Sequence, residues 1–173
     1  MENKLINPRF AVVTLIIIAA AITRFLPHPP NFTAIGSLAL FGGAMYSDKR
    51  LAIVLPLVAM FISDLFIPYG FIPSVYISFV GIVIIGFLMR NNVGIKSVAV
   101  ATVAASVLFF VVSNFFVWYG TTLYPKSGAG LIECYVAAIP FFWNTLAGTA
   151  FFNVVFFGGY YLLERKYPVL ATR

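Results

Sequence analysis

Residues 97–118, SVAVATVAASVLFFVVSNFFVW, contain no charged side chain and are long enough to cross a lipid bilayer as one helix. Together with five further apolar runs they cover roughly 10–26, 32–46, 51–68, 72–89, 97–118 and 135–163. A helix satisfies its own backbone hydrogen bonds in lipid, so this pattern predicts an all-α polytopic membrane protein. We expect six transmembrane helices in one compact bundle, forming a single transmembrane domain over residues 1–173.

The composition indicates the same class of protein. Of the 173 residues, 62% are hydrophobic and 9% are charged, and the mean hydropathy is +1.01. A soluble domain of this length could not cover so much apolar surface with polar groups. The net charge of +6 comes from basic residues that are dispersed at the ends of the runs, so we expect no nucleic-acid binding.

The basic residues are divided unequally between two sets of connections. One set, with the two termini, carries Lys4, Arg9, Lys49, Arg50, Arg90, Lys96, Arg165, Lys166 and Arg173. The other set carries only Arg24 and Lys126. Short cytoplasmic loops retain Lys and Arg, so both termini are expected in the cytoplasm.

The first run also has features of a signal peptide. Lys4 and Arg9 precede it, and Ala19, Ala20 and Ala21 offer a cleavage pattern. Alanine-rich helix ends are also common packing surfaces, so we expect this helix to be retained. Cleavage would leave five spans with the same orientation.

Polar side chains inside or near the apolar runs are candidates for a binding site, because such groups are costly in hydrocarbon. With the expected orientation, seven of them lie on the outer side or near mid-depth: Arg24, His28, Asn31, Asp64, Asn114, Trp118 and Asn144. Their similar depth predicts a substrate-binding pocket that is open to the outside. Pro140, Asn144 and Gly148 share one helix face. Aromatic side chains could stack on a planar ligand there, namely Tyr69, Tyr76, Trp118, Tyr119, Tyr135 and Trp143.

Each candidate also has a structural interpretation. Arg24 and Asp64 could simply neutralise each other, and the two asparagines could join helices. His28 could be an exposed loop residue between prolines, and the aromatic residues are typical interfacial anchors. An outer cavity of about 300 Å³ or more, lined by polar and aromatic groups, would favour the binding interpretation.

The sequence has no catalytic or metal-binding pattern. It has one histidine and one cysteine, Cys134, and it has no glycine-rich phosphate loop. We therefore expect no enzymatic activity, no cofactor and no metal. The energy for any transport would come from a gradient or from another subunit.

Three segments carry a resemblance to a known family: residues 24–32 (RFLPHPPNF), 38–44 (LALFGGA) and 62–65 (ISDL). In them the chain resembles the substrate-binding S components of bacterial energy-coupling-factor transporters, and a related family of small six-span bacterial membrane proteins. S components similarly have a first outer loop over the substrate, a glycine-rich second span and an acid closing the third. The resemblance implies uptake of a vitamin-like small molecule across the bacterial cytoplasmic membrane. Its implied partners are a transmembrane coupling subunit and two cytoplasmic ATPases.

In that family the first helix docks the coupling subunit through a stripe of small residues. The corresponding stretch here, residues 12–18, reads VVTLIII and is bulky. The nearest small-residue ridge is Ala39, Gly43 and Ser47 on the second run, where we expect a partner helix to pack. Two other functions remain open. One is a non-transporting scaffold or assembly factor, and the other is a stand-alone channel or proton-coupled carrier in which Asp64 titrates.

Overall fold

The computed structural model describes residues 8–67 and 71–171, and every regular element in these ranges is helical. The prediction of an all-α protein is confirmed for this part of the chain. The α-helices are α1 (Pro8–Ile22), α2 (Ile35–Met45), α3 (Lys49–Asp64), α4 (Pro73–Met89), α5 (Ile95–Gly120), α6 (Gly128–Asn153) and α7 (Gly159–Lys166). Two 3-10 turns follow α1 and α7, at Thr23–Phe25 and Pro168–Leu170, and a π-helical turn, Val154–Gly158, joins α6 to α7.

Three helical segments in the described part of the chain are long and apolar enough to cross a membrane. They are Pro8–Phe25, Ile95–Gly120 and Gly128–Lys166, with 18, 26 and 39 residues. At most a third of the most apolar window of each is buried inside the protein, so most of their apolar surface faces outward. That distribution fits a lipid environment, since lipid is as apolar as a protein core. Helices α2 and α4 are apolar but shorter.

Several helix ends differ from the sequence prediction. Helix α2 begins at Ile35 instead of residue 32, because a turn precedes it in which Phe32 N donates to Pro29 O over 3.0 Å. Helix α3 ends at Asp64 and does not extend to residue 68. Helix α6 begins seven residues earlier than expected, so the connection predicted at 119–134 shrinks to 121–127. Its N-cap is Ser127, whose hydroxyl accepts a hydrogen bond from the Gly130 amide.

The last helix is longer than a bilayer core requires. Tilt, a kink at Pro140 or a break near Gly158 would absorb the excess length. The structure has a π-helical turn, Val154–Gly158, at this point, and Pro140 lies within α6. A π-turn inserts one extra residue into the helical ladder, which changes the direction of the side chains that follow it.

Helix α2 forms the centre of the bundle, and all its residues from Ser37 to Met45 are buried. Helix α2 crosses α4 closely where Gly43 meets Gly86. The backbones come so near that a Cβ at Gly86 would lie 2.6 Å from the Leu40 carbonyl oxygen. Ala39 and Gly43 are therefore packed inside the chain and present no surface to a partner helix, whereas Ser47 is exposed.

Two arginines cap the C-terminal end of α2. Arg9 is 4% exposed and donates to the carbonyl oxygens of Met45 (3.0 Å) and Leu170 (3.4 Å). Arg90 donates to the Ser47 carbonyl oxygen at 2.9 Å. Cations favour the negative end of a helix, and here they also satisfy carbonyl groups at and just beyond its last turn. The beginning of α1, the end of α4 and the C-terminal turn thus meet at one end of the bundle.

Candidate functional site

Arg24 and Asp64 form a buried ion pair. Arg24 lies in the 3-10 turn after α1, and its Nη2 atom is 2.5 Å from Asp64 Oδ1, with side chains that are 12% and 7% exposed. The guanidinium also donates to the Met60 carbonyl oxygen (3.1 Å) and to the Ser63 hydroxyl. Tyr76 donates its hydroxyl to Asp64 Oδ2 at 2.5 Å. The pair joins α1, α3 and α4, and each charge has its partner within the protein.

The first connection, residues 26–34, packs against α6. Asn144 donates from Nδ2 to the Pro30 carbonyl oxygen at 3.0 Å. One turn later, Gly148 lets the backbone approach closely, since a Cβ there would be 3.0 Å from Phe32 Cα. Asn144 and Gly148, which the sequence placed on one helix face, therefore both contact this connection.

A small cavity of about 20 Å³ lies where this connection meets the bundle. Its lining comes from the first connection and from α2, α4, α5 and α6: Asn31, Thr33, Ile35, Gly36, Ile82, Ala105, Phe109, Thr145 and Thr149. This volume exceeds the roughly 10–15 Å³ that one water molecule needs but is far below the size of a pocket for a whole ligand. The cavity is much smaller than the outer cavity of about 300 Å³ or more that would favour the interpretation of these residues as a binding site.

The polar side chains that line this cavity differ in whether they have hydrogen-bond partners within the protein. Thr145 donates its hydroxyl to the Phe141 carbonyl oxygen of its own helix. Thr149 is 2% exposed, and within the described part of the chain its hydroxyl has no hydrogen-bond partner. Asn31 has a left-handed backbone with a φ of 63° and lies exposed at the edge of the cavity. Asparagine tolerates this conformation better than most residues.

Of the seven predicted site residues, only Asn31 lines this cavity. Asn114 donates its side-chain amide to the Phe110 carbonyl oxygen of its own helix at 2.8 Å, and its backbone carbonyl accepts from the Cys134 thiol of α6 at 3.5 Å. Trp118 donates its indole N–H to the Pro125 carbonyl oxygen at 2.9 Å and holds the connection 121–127. His28 is exposed, and its ring nitrogen Nδ1 lies 3.0 Å from the carbonyl oxygen of the neighbouring Pro29.

The predicted aromatic wall does not assemble around this cavity. Tyr135 donates its hydroxyl to the Val111 carbonyl oxygen (2.7 Å), and Tyr119 and Trp143 are 67% and 60% exposed. Tyr76 donates its hydroxyl to Asp64 of the ion pair, and Tyr69 lies outside the described residues. Exposed tyrosine and tryptophan on apolar helices are typical of the membrane interface.

Sequence reasoning missed Thr33, Gly36 and Thr149. A Cβ at Gly36 would lie 2.9 Å from Thr149 Oγ1, so the missing side chain creates the space beside that hydroxyl. Ser37 donates to the Thr149 carbonyl oxygen at 2.8 Å and fixes α2 against α6 at the same level. The only available signal was the abundance of small residues in α2, which we interpreted as packing.

A second polar contact lies deeper in the bundle. Asn153 is 1% exposed and donates from Nδ2 to the Thr102 hydroxyl at 2.7 Å. Its Oδ1 atom has no partner among the described residues. Asn153 is the last residue of α6 before the π-helical turn. The contact joins α5 to α6, so it is structural.

An apolar groove runs along the outside of α4 and α5. It has a volume of about 910 Å³ and is open to the surroundings. Its lining is almost wholly aliphatic: Ile85, Ala99, Val100, Val103, Ala104, Val107, Leu108, Val111 and Val112. Such a surface suits lipid chains or another apolar helix.

No group of three or more potential metal ligands occurs among residues 8–67 and 71–171. A family model matches residues 4–170, nearly the whole chain, and the chain therefore belongs to that family, described as a family of unknown function (DUF6580). No match was found among curated proteins or among solved structures.

Proposed function

We propose that this protein is a six-span membrane subunit that binds a small molecule on the outer side of the membrane for uptake. The observation that carries this proposal is the cavity under the first connection, which is lined by Thr149, a residue that is 2% exposed and whose hydroxyl has no hydrogen-bond partner among the described residues. A hydroxyl that faces a cavity without a protein partner can donate to a molecule that enters the cavity. Residues 26–31, which lie over the cavity, are exposed, and their movement would enlarge it.

The orientation is supported by two independent features. Nine of the 11 basic residues fall on the termini and alternate connections, which favours a cytoplasmic position for both termini. The contacts of Arg9 with Met45 and Leu170 bring both ends of the described chain to one end of the bundle. The first connection lies at the opposite end of α2, so the cavity would open to the outside.

This orientation can be tested by labelling in intact cells. In a Cys134→Ser background, His28→Cys is expected to react with a membrane-impermeant maleimide, whereas Lys49→Cys reacts only after permeabilisation. Both positions are exposed, so a difference reports sidedness and not burial. Equal labelling of the two positions, or the reverse pattern, would exclude the proposed topology.

The binding function can be tested by native mass spectrometry of the protein extracted gently from its own membranes. We expect a small adduct on the 19.0 kDa chain, absent in Thr149→Val and retained in Ser78→Ala. Ser78 is a matched control, because its buried hydroxyl donates to the Ser74 carbonyl oxygen within α4. A bare wild-type chain, or one that carries only lipid, would refute the proposal. Co-purification of a membrane subunit with ATPases would identify the source of energy.

The second candidate function is a non-transporting scaffold. It is favoured by the open groove on α4 and α5, and by the pairing of Arg24 with Asp64, which occupies the cation expected to bind a ligand. A stable complex with another membrane protein that Val103→Trp disrupts, without any small adduct, would establish this function instead. Val103 is half exposed and lines the groove, so tryptophan there projects into it.

A further inference from the structure

Helix α2 begins without a capping side chain. Its N-cap residue is Ala34, and the first hydrogen bond of the helix runs from the Leu38 amide to the Ala34 carbonyl oxygen at 2.8 Å. The amides of Ile35, Gly36 and Ser37 have no partner in the part of the chain that the structure describes. These groups carry the partial positive charge of the helix end. Ile35 and Gly36 line the cavity.

The hydroxyl of Thr149 points to a ligand independently of the helix end. Thr149 is 2% exposed as a residue and lines the cavity, and its hydroxyl lies against Gly36 without a hydrogen-bond partner among the described residues. The neighbouring hydroxyls of Thr145 and Ser37 are both satisfied by backbone carbonyl oxygens. The Thr149 hydroxyl therefore remains available to donate to a group that enters the cavity.

The mouth of the cavity adds two further polar side chains. Thr33 and Asn31 line it, and neither side chain has a hydrogen-bond partner in the described ranges. No acidic or basic residue contributes to the lining. The positive helix end is therefore the main source of charge, and it disfavours a cation and favours an anion.

We propose that this cavity holds one oxygen atom of a carboxylate group of the small molecule, bound by the first amides of α2 and by the Thr149 hydroxyl. This inference rests on the proposed binding function and assigns the substrate class, a small carboxylic acid. The volume of about 20 Å³ is close to what one water molecule needs, so the cavity accommodates one carboxylate oxygen. The remainder of the ligand would then lie at the mouth, beside Asn31 and under the first connection.

The test uses ¹³C-labelled acetate as the probe and acetamide as its neutral counterpart. Line broadening of each is measured with the purified full chain in detergent, up to about 100 mM at constant ionic strength. We expect saturable broadening of acetate and not of acetamide. In Thr149→Val the apparent Kd for acetate rises about tenfold or more, as expected for a lost hydrogen bond to a charged group. Thr149→Ser, which keeps the hydroxyl, restores binding, and Ser78→Ala leaves it unchanged.

A second variant blocks the site by volume. Gly36→Ala places a methyl group beside Thr149 Oγ1 and is expected to abolish saturable broadening, with the folded state checked by size-exclusion chromatography and circular dichroism.

Three results would overturn the inference: no saturable acetate broadening, equal binding of acetamide, or full binding by Thr149→Val. Displacement of acetate by chloride at equal concentration would assign the cavity to a small inorganic anion and would also overturn it. A neutral or cationic adduct in native mass spectrometry would retain the proposed function and exclude the carboxylate, whereas a bare chain would exclude the function itself.

Discussion

Neutralising Arg24 or Asp64 alone is expected to destabilise the protein more than neutralising both. Arg24→Met leaves a carboxylate that is 7% exposed with only the Tyr76 hydroxyl as its partner. Asp64→Asn leaves the guanidinium with the Met60 carbonyl oxygen and the Ser63 hydroxyl, which are both uncharged. Each single variant therefore retains one buried charge without its counter-ion. The double variant has no such charge.

The size of the effect follows from the burial of the pair. Removing one partner of a fully buried pair costs about 3–5 kcal/mol, and the remaining hydrogen bonds reduce this to about 2–3 kcal/mol for each single variant here. The double variant is expected to lose about 1–2 kcal/mol, because the introduced amide can still accept the Tyr76 hydroxyl. The coupling energy between the two positions is then about 3 kcal/mol.

The coupling is measured as the free energy of unfolding in mixed micelles for the wild type, both single variants and the double variant. Lys96→Met and Glu133→Gln form the control cycle. Both side chains are exposed, and no ion pair between them occurs in the described structure. We expect these two changes to be additive within about 0.5 kcal/mol. A coupling between Arg24 and Asp64 as small as that of the control would refute the reasoning and would make Arg24 available for a ligand.

Three further predictions use the same unfolding measurement. Gly86→Ala should cost about 1–3 kcal/mol, since its Cβ would lie 2.6 Å from the Leu40 carbonyl oxygen, whereas Gly159→Ala, with no atom within 4 Å, should cost nothing. Arg9→Met should cost about 1.5–3 kcal/mol, because it removes charged donors from the carbonyl oxygens at the end of α2. Asp48→Ala should destabilise at pH 7, because the Asp48 carboxylate accepts hydrogen bonds from the amides of the first turn of α3, which lower its pKa below the usual 3.8. Since that pKa is lowered by folding, the difference between wild type and variant should persist at neutral pH and disappear only as the pH falls below about 3.8.

The sequence was a good guide to where helices lie and a poor one to where they end. Apolar runs identify the interior of each helix, because burial in lipid or protein selects for it. The ends depend on single contacts, such as the Ser127 cap that starts α6 early and the turn at residues 29–32 that delays α2. A capping serine and an ordinary loop serine look alike in a sequence until their neighbours are known.

The residues of the candidate site were harder to predict from the sequence than the helix ends. Arg24 and Asp64 attract attention because charges are rare in apolar runs, and their pairing was one of the interpretations we left open. Thr149 does not stand out in the sequence, because threonine is common in helices. A threonine hydroxyl usually donates to a backbone carbonyl of the preceding turn, as that of Thr145 does. What distinguishes Thr149 is a missing partner, and only the packing of α2 against α6 reveals that.

The two ends of α2 differ in a way that bears on how a binding subunit could work. At one end, Arg9 and Arg90 hold the last carbonyl groups, so opening that end would expose charged donors and acceptors together. At the other end, the first amides have no partner among the described residues, and the segment before them is exposed and tied to α6 by Asn144. The first connection is thus held by one side-chain hydrogen bond and by the packing of Phe32 on α6, whereas the opposite end is held by hydrogen bonds from two arginines. A ligand that satisfies the first amides would stabilise the closed position of that connection, because its contacts exist only when the cavity is formed.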